Sequence, residues 1–136
     1  MSLCPFLDQR QFMQACDQTV DSFNDKQALM YLELVHEEFA ELEMAACSVN
    51  WKNPSTDEIA PVVDGLIDLI YVAAGMLHSM GIDANAAWNE VQLSNMSKVD
   101  RESGKVLKRD DGKVLKPDSY FPPDLVRVVK ESWGLK

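Results

Sequence analysis

Two groups of carboxylates in the 136-residue chain have the types and spacing to do chemistry. Glu37, Glu38 and Glu41 lie together in a stretch of helical periodicity, and Asp64 and Asp68 lie one helical turn apart in the next such stretch. Like charges at i,i+3 and i,i+4 repel, so a surface helix normally intersperses Lys or Arg among them. Here Lys26 is the only basic residue between Asp25 and Trp51, and none occurs between Lys52 and Lys98. A solvated acidic face remains an open reading for the first group alone. The second group is harder to dismiss. Residues 62–80 are apolar nearly all round (Val62, Val63, Leu66, Ile67, Leu69, Ile70, Val72, Met76, Leu77). Such a helix is expected to be buried on most sides. Ionised carboxylates inside it are costly unless paired or bound to metal. The chemistry implied is divalent-cation binding by Glu37, Glu38, Glu41, Asp64 and Asp68, and all-oxygen ligation suits Mg²⁺, with Mn²⁺ as an alternative.

Other candidates are weaker. Glu33 and His36 fit one ExxH motif of a di-iron bundle, but a second copy is missing. Asn95 and Lys98 share a helix face with Trp88 and Val91. On spacing alone they read as an ordinary helix C-terminus, with a cation complementing its dipole. Lys105, Lys108, Lys113 and Lys116 could close over phosphates, or equally protect an exposed strand edge. Trp51 and Tyr120 could stack on a base or simply pack beside their prolines.

The elements that must position these residues are mostly helical. A first helix is expected over 8–20, with Phe12, Met13 and Cys16 as its apolar face. Asn24 and Gln27 resemble a capping box that opens a long helix over 25–48. Its apolar stripe is Leu32, Val35, Phe39, Leu42 and Ala46, and Glu38 lies closest to it. Ser55 and Glu58 offer a second capping box, and Pro61 falls early in the next helix, which runs to Met80 and stops at Gly81. Asp83 caps a fourth helix reaching about Lys98. Gly104–Lys108 then recurs as Gly112–Lys116, and with Arg-Asp-Asp-Gly around the junction this predicts a short hairpin. A Pro-rich stretch (117–123) and a last helix over 124–133 follow. The fold class expected is all-α: four to five helices, a short C-terminal β-hairpin and a Pro-rich tail. One domain spans 1–136, with a helical core over about 8–98 and a basic hairpin and tail over 99–136.

Net charge is −9, unevenly spread. Residues 1–97 hold three basic against fifteen acidic side chains, and 98–136 hold ten against seven. An acidic body argues against nucleic acid as a partner and suits a small phosphorylated molecule held through cations. Asp64, Asp68 and His78 interrupt the longest apolar stretch, which argues against a membrane span. The N-terminus shows no charged leader followed by an apolar block. Cys4, Cys16 and Cys47 are odd in number and without a CxxC, as expected of reduced thiols in a cytoplasmic protein.

The run Glu37-Glu38-Phe-Ala-Glu41 followed by carboxylates one helix later resembles the all-α nucleotide pyrophosphohydrolase superfamily of MazG-type proteins, whose pattern is EExxE and then ExxD. Asp64-Gly-Leu-Ile-Asp68, Ser94-Asn-Met-Ser-Lys98 and the GKVLK…GKVLKP…PPDL tail are similar to a phosphoribosyl-ATP pyrophosphohydrolase-like branch. One departure stands out: the ExxD glutamate position holds Gly65, with Asp64 one residue earlier. The resemblance implies Mg²⁺ between the two helices, attack of water on phosphorus, and release of pyrophosphate and a nucleoside monophosphate. It implies Glu38 as general base, since its place beside the apolar stripe should raise its pKa most, with Glu37 the nearest competitor. It also supports substrate contacts from Asn95 and Lys98, with Lys113 and Lys116 of the repeat as further candidates, and the uncovered apolar surface predicts a homodimer or homotetramer, as in the resembled family. The expected activity is nucleoside triphosphate hydrolysis, of the kind that removes surplus or non-standard nucleotides. The alternatives are phosphoribosyl-ATP hydrolysis, or a non-catalytic helical module whose carboxylates merely bind cations.

Overall fold

Local signals place the helix boundaries in the computed structural model, which describes residues 4–136. Helix α1 (Pro5–Ala15) begins earlier than the periodicity suggested, because Pro5 occupies the first turn, where a missing N–H costs nothing. It ends by Cys16, and Asp17 takes a positive φ of 55°. Helix α2 (Asp25–Cys47) is capped by Asn24, whose side chain accepts from the Gln27 amide. The reciprocal half of that box is absent. Gln27 instead bonds the Thr19 backbone at both N–H and carbonyl, and donates to Ser79 Oγ at 2.8 Å. Helix α3 (Thr56–Ser79) opens on the full capping box of Ser55 and Glu58 and stops before Gly81, at φ 70°.

The chain divides into two compact units, residues 1–82 and 83–136. In the first, α2 and α3 lie antiparallel along most of their length. A Cβ on Gly75 would stand 2.2 Å from the Tyr31 ring, and one on Gly65 would stand 3.2 Å from Leu42 Cα. Two close approaches about three turns apart fix the register of the seam. The α2 residues on it are Ala28, Tyr31, Val35, Glu38 and Leu42, at alternating spacings of three and four. Their α3 counterparts are Ser79, Gly75, Val72, Asp68 and Gly65. All of these are buried or half-buried. Helix α1 packs on α3 beside this seam. Met13, Val20 and Tyr31 form a small core with Leu34, Val72 and Met76.

Two expectations fail here. The α2 stripe is not wholly inward: Leu32 and Phe39 are each 47% exposed. Nor is α3 buried on most sides, since Val63, Leu66, Ile67 and Ile70 remain about half exposed. Only α1 and α2 cover it, and its outer face has no neighbour within this unit. By length and composition α3 also qualifies as a membrane span, with mean hydropathy 1.7. Its two aspartates do not exclude that reading by themselves.

In the second unit, Asp83 caps α4 (Ala84–Met96) through the Ala86 amide, and α5 (Leu125–Ser132) packs against α4. Arg127 joins them, pairing with Glu90 at 2.6 Å and with Glu131 at 3.1 Å. The hairpin does not form. Between the helices there are only isolated bridges, Val99 with Val106 and Lys108 with Val114. Each copy of the repeat closes a turn of its own. Gly104 N–H bonds Asp100 O, and Gly112 N–H bonds Arg109 O, both glycines at positive φ. Paired stretches this short and exposed cannot build a ladder.

The seam makes a testable demand. Gly75→Ala should destabilise the fold by about 1–3 kcal/mol, since the new methyl meets a buried ring. Gly65→Ala should cost much less, because helix propensity offsets a milder contact. Urea unfolding of both variants checks the order.

Candidate active site

The seam positions the carboxylates. Glu38 and Asp68 take places in the seam itself, opposite each other in the register set by Gly65 and Gly75, and both are half-buried. Counting about 100° per residue from Leu42, Glu38 lies roughly 40° and Glu41 roughly 100° around α2. Counting likewise from Gly65, Asp68 lies roughly 60° and Asp64 roughly 100° around α3. For an antiparallel pair these turns fall on the same side of the seam. The two stripes predicted from sequence therefore border one shared edge.

The electrostatics agree with this placement. The Glu38 carboxyl is pushed above its ordinary range, first by desolvation and then by the charges of Glu41, Asp68, Glu37 and Asp64. Carboxylates from both helices thus act on one group. No basic side chain of α2 or α3 answers them beyond Lys26, near the start of α2. Glu37 is exposed and lines a hollow of about 400 Å³ with Leu32, Glu33 and His36, on the outer side of α2. Asp64 is also exposed. It borders a largely apolar hollow of about 630 Å³ made by the start of α3, with Ser55, Ile59, Val63 and Ile67.

Would these residues suit a divalent cation? The donors are all carboxylate oxygens, and the half-buried Glu38 is surrounded by like charge, which is the condition a hard cation relieves. Among the described residues no three Asp, Glu, His or Cys side chains converge on one point. The chemistry of the set fits Mg²⁺, which commonly keeps several waters and needs only one or two carboxylates. One or two of Glu38, Glu41, Asp64 and Asp68 would hold it, with Glu37 at the margin.

The histidines take no part. His78 is buried, its Nε2 2.9 Å from the Phe6 carbonyl. His36 is exposed beside Glu37. Trp51 donates to the Ala46 carbonyl at 3.2 Å from an exposed position. In the second unit, Lys98 donates to Asn95 Oδ1 at 2.9 Å, so this predicted pair does meet. Lys98 and Lys116 both stand over the Tyr120 ring, at 5.8 and 4.6 Å from its centroid. Lys105, Lys108 and Lys113 are exposed, and none of the three shares that ring. Reasoning from sequence puts Gly75 and Tyr71 on the aspartate face of the helix but misses Tyr120 as the meeting point and the two glycines as points of close approach. The glycines were discoverable, because each continues the three-four spacing through Asp68 and Val72.

A family model described as phosphoribosyl-ATP pyrophosphohydrolase matches residues 9–95. The chain belongs to that family. The matched segment carries α2, α3 and nearly all of α4, including every carboxylate above. Phosphoribosyl-ATP pyrophosphohydrolases fall within the MazG-like all-α superfamily and cleave phosphoric anhydride bonds in small nucleotides. Membership sets aside the non-catalytic module. Comparison with curated proteins returns no match.

The raised Glu38 pKa fixes a sign. The metal-free folded state holds this proton more tightly than the unfolded chain, so Glu38 makes stability fall as pH rises through and above the ordinary glutamate range. Thermal unfolding in chelator at several pH values should show that Glu38→Gln is the more stable protein at neutral pH and loses stability less steeply. A steeper decline in the variant would contradict the placement of Glu38.

Proposed function

We propose that the chain hydrolyses a nucleoside triphosphate to pyrophosphate and the monophosphate, in the cytoplasm and with Mg²⁺. The observation supporting this most is Glu38 in the seam opposite Asp68, with Glu41 and Asp64 on the same side. When bound, the cation would neutralise phosphate charge and help to ionise water.

The remaining work falls to side chains. Glu38 accepts a proton from the attacking water as the oxygen approaches phosphorus. Asp68 opposes it across the seam, and its charge is one of those that raise the Glu38 pKa in the metal-free site. The cleaved anhydride bond leaves its electron pair on the departing pyrophosphate. Asn95, Lys98, Lys113 and Lys116 supply donors for phosphate or sugar oxygens. Phosphoribosyl-ATP is the second reading, supported by the family description itself. Against a strict carry-over from the superfamily pattern stands Gly65. The ExxD glutamate is missing, and the tight approach to Leu42 leaves no room for one without moving α2.

Half-exposed Val63, Leu66, Ile67 and Ile70 on α3 support a homodimer or homotetramer.

Pyrophosphate release measured across a nucleotide panel that includes phosphoribosyl-ATP, with Mg²⁺ and with Mn²⁺, tests the reading. Glu38→Gln should lower kcat by roughly 10²–10⁴-fold, and Asp68→Asn should raise the Mg²⁺ concentration needed for half-maximal rate. Full turnover in both variants would sink the site. Turnover of phosphoribosyl-ATP alone would move the assignment to the second reading. For the assembly, Ile70→Glu should shift the mass measured by light scattering to that of one chain.

A further inference from the structure

The Pro-containing segment after the repeat is tied to the end of α4 by a set of hydrogen bonds. Ser94, 3% exposed, donates its hydroxyl to the Phe121 carbonyl at 2.9 Å. The Ser97 hydroxyl accepts from Phe121 N–H, and Ser119 donates to the Ser97 carbonyl, each at 3.1 Å. Tyr120 N–H closes a turn onto the Pro117 carbonyl at 2.9 Å. Both neighbours of Tyr120 are therefore fixed on the last turn of α4, and its ring has a defined place.

Two ammonium groups from distant parts of the sequence meet on that ring. Lys98 follows α4, and Lys116 ends the second copy of the repeat. Among the described residues neither pairs with a carboxylate. Among the described residues of the unit, only Arg109, with Asp111, and Arg127, with Glu90 and Glu131, form ion pairs, so what sets Lys98 and Lys116 apart is the shared ring. The negative face of an aromatic ring attracts cations but carries no net charge. Two cations gathered this way repel each other and keep their capacity for an anion. Asn95, whose Oδ1 is taken by Lys98, has its amide N–H groups left to donate.

We infer that Tyr120 is a positioning residue: its ring holds Lys98 and Lys116 together, beside Asn95, as a receiver for the phosphate oxygens of a polyphosphate. The identity of that ligand rests on the proposed function; the grouping rests on the geometry alone. The working part is the ring face, so the phenol hydroxyl is dispensable.

The test uses the full chain and inorganic tripolyphosphate, titrated by calorimetry in magnesium-free buffer, where the acidic helices cannot take up the anion through a cation. Tyr120→Leu should weaken binding about tenfold, as expected for loss of two exposed cation–ring contacts. Tyr120→Phe should bind within about twofold of the parent on the same scale. Lys116→Gln should weaken binding, whereas Lys130→Gln, which removes an equal charge from α5, should not.

Tripolyphosphate binding that is absent in the parent, unchanged in Tyr120→Leu, or equally weak in Tyr120→Phe overturns the inference. Should Tyr120→Leu fail to fold, the comparison of Lys116→Gln with Lys130→Gln and with Tyr120→Phe decides it. If no nucleotide is hydrolysed yet binding follows the ring as described, the proposed substrate is wrong and the cation pair stands. If nucleotide is hydrolysed yet tripolyphosphate binding ignores the ring, the substrate stands and the cation pair falls.

Discussion

The structure depends on one unfavourable interaction placed where it cannot relax: Glu38 and Asp68 oppose each other in the seam between α2 and α3, with Glu41 and Asp64 adding to the same field. Everywhere else along that seam the facing residues are apolar or small. The pair is retained because both ends of the helix hairpin are fastened. At one end Asn24 N–H bonds the Ser79 carbonyl at 2.8 Å, and Gln27 reaches Ser79 as well. At the other, Glu58 accepts from the Ser55 and Asn50 amides, which holds its own pKa low. Repulsion in the middle is thus balanced by satisfied polar groups at the termini, a local conflict of the kind expected at a functional site.

Gly65 belongs to the same constraint. A seam that brings Leu42 Cα within 3.2 Å of a Cβ at this position takes a larger side chain only if Leu42 gives way. Close packing and an ExxD glutamate compete for one position, and here packing has taken it. Asp64 lies one residue earlier on the correct side, yet it is exposed and bordered by the hollow of Ile59, Val63 and Ile67. Its carboxylate is shorter and further from Glu38 in effect, being the smallest of the four charges that raise the Glu38 pKa. A cation held here would draw on one or two of these carboxylates and keep its other ligands as water, with Asp64 facing the open side.

Much of this was legible in the residues. The capping box at Ser55, the caps at Asn24 and Asp83, and the glycine stop at Gly81 follow from backbone chemistry within a few positions, and they set the helices. The carboxylate stripes were legible because charge without counter-charge is visible in a string of letters. The α2 core line was misjudged. Leu32 and Phe39 share a three-four spacing with Val35 and Leu42, and spacing alone cannot say which of two adjacent apolar lines meets its own chain. The repeat misled for a related reason. Gly-Lys-Val-Leu-Lys twice over suggests a full ladder between the copies, yet they meet only at the Lys108–Val114 bridge and the Leu115 N–H bond to Leu107 O, while Val106 of the first copy pairs with Val99 instead. Tyr120 was invisible as a meeting point because Lys98 and Lys116 approach it through tertiary bonds from Ser94 and Ser97.

The outer face of α3 could in principle belong to a core, a lipid bilayer or a second copy of the chain. The first is excluded within the unit by the exposure of Ile67 and Ile70. Lipid is disfavoured by what accompanies α3: α2 lies against it carrying exposed Asp25, Lys26, Glu33, Glu37 and Glu43, and uncompensated charge at bilayer depth is expensive. A second copy needs only a strip of α3 and leaves those charges in water. It would also lower the local dielectric behind Asp64 and Asp68, which strengthens any cation held between them. Assembly and catalysis would then draw on one helix, with Val63, Ile67 and Ile70 outward, Asp68 in the seam and Asp64 at the border between them. That division accounts for why so apolar a helix carries two acidic residues on a single face.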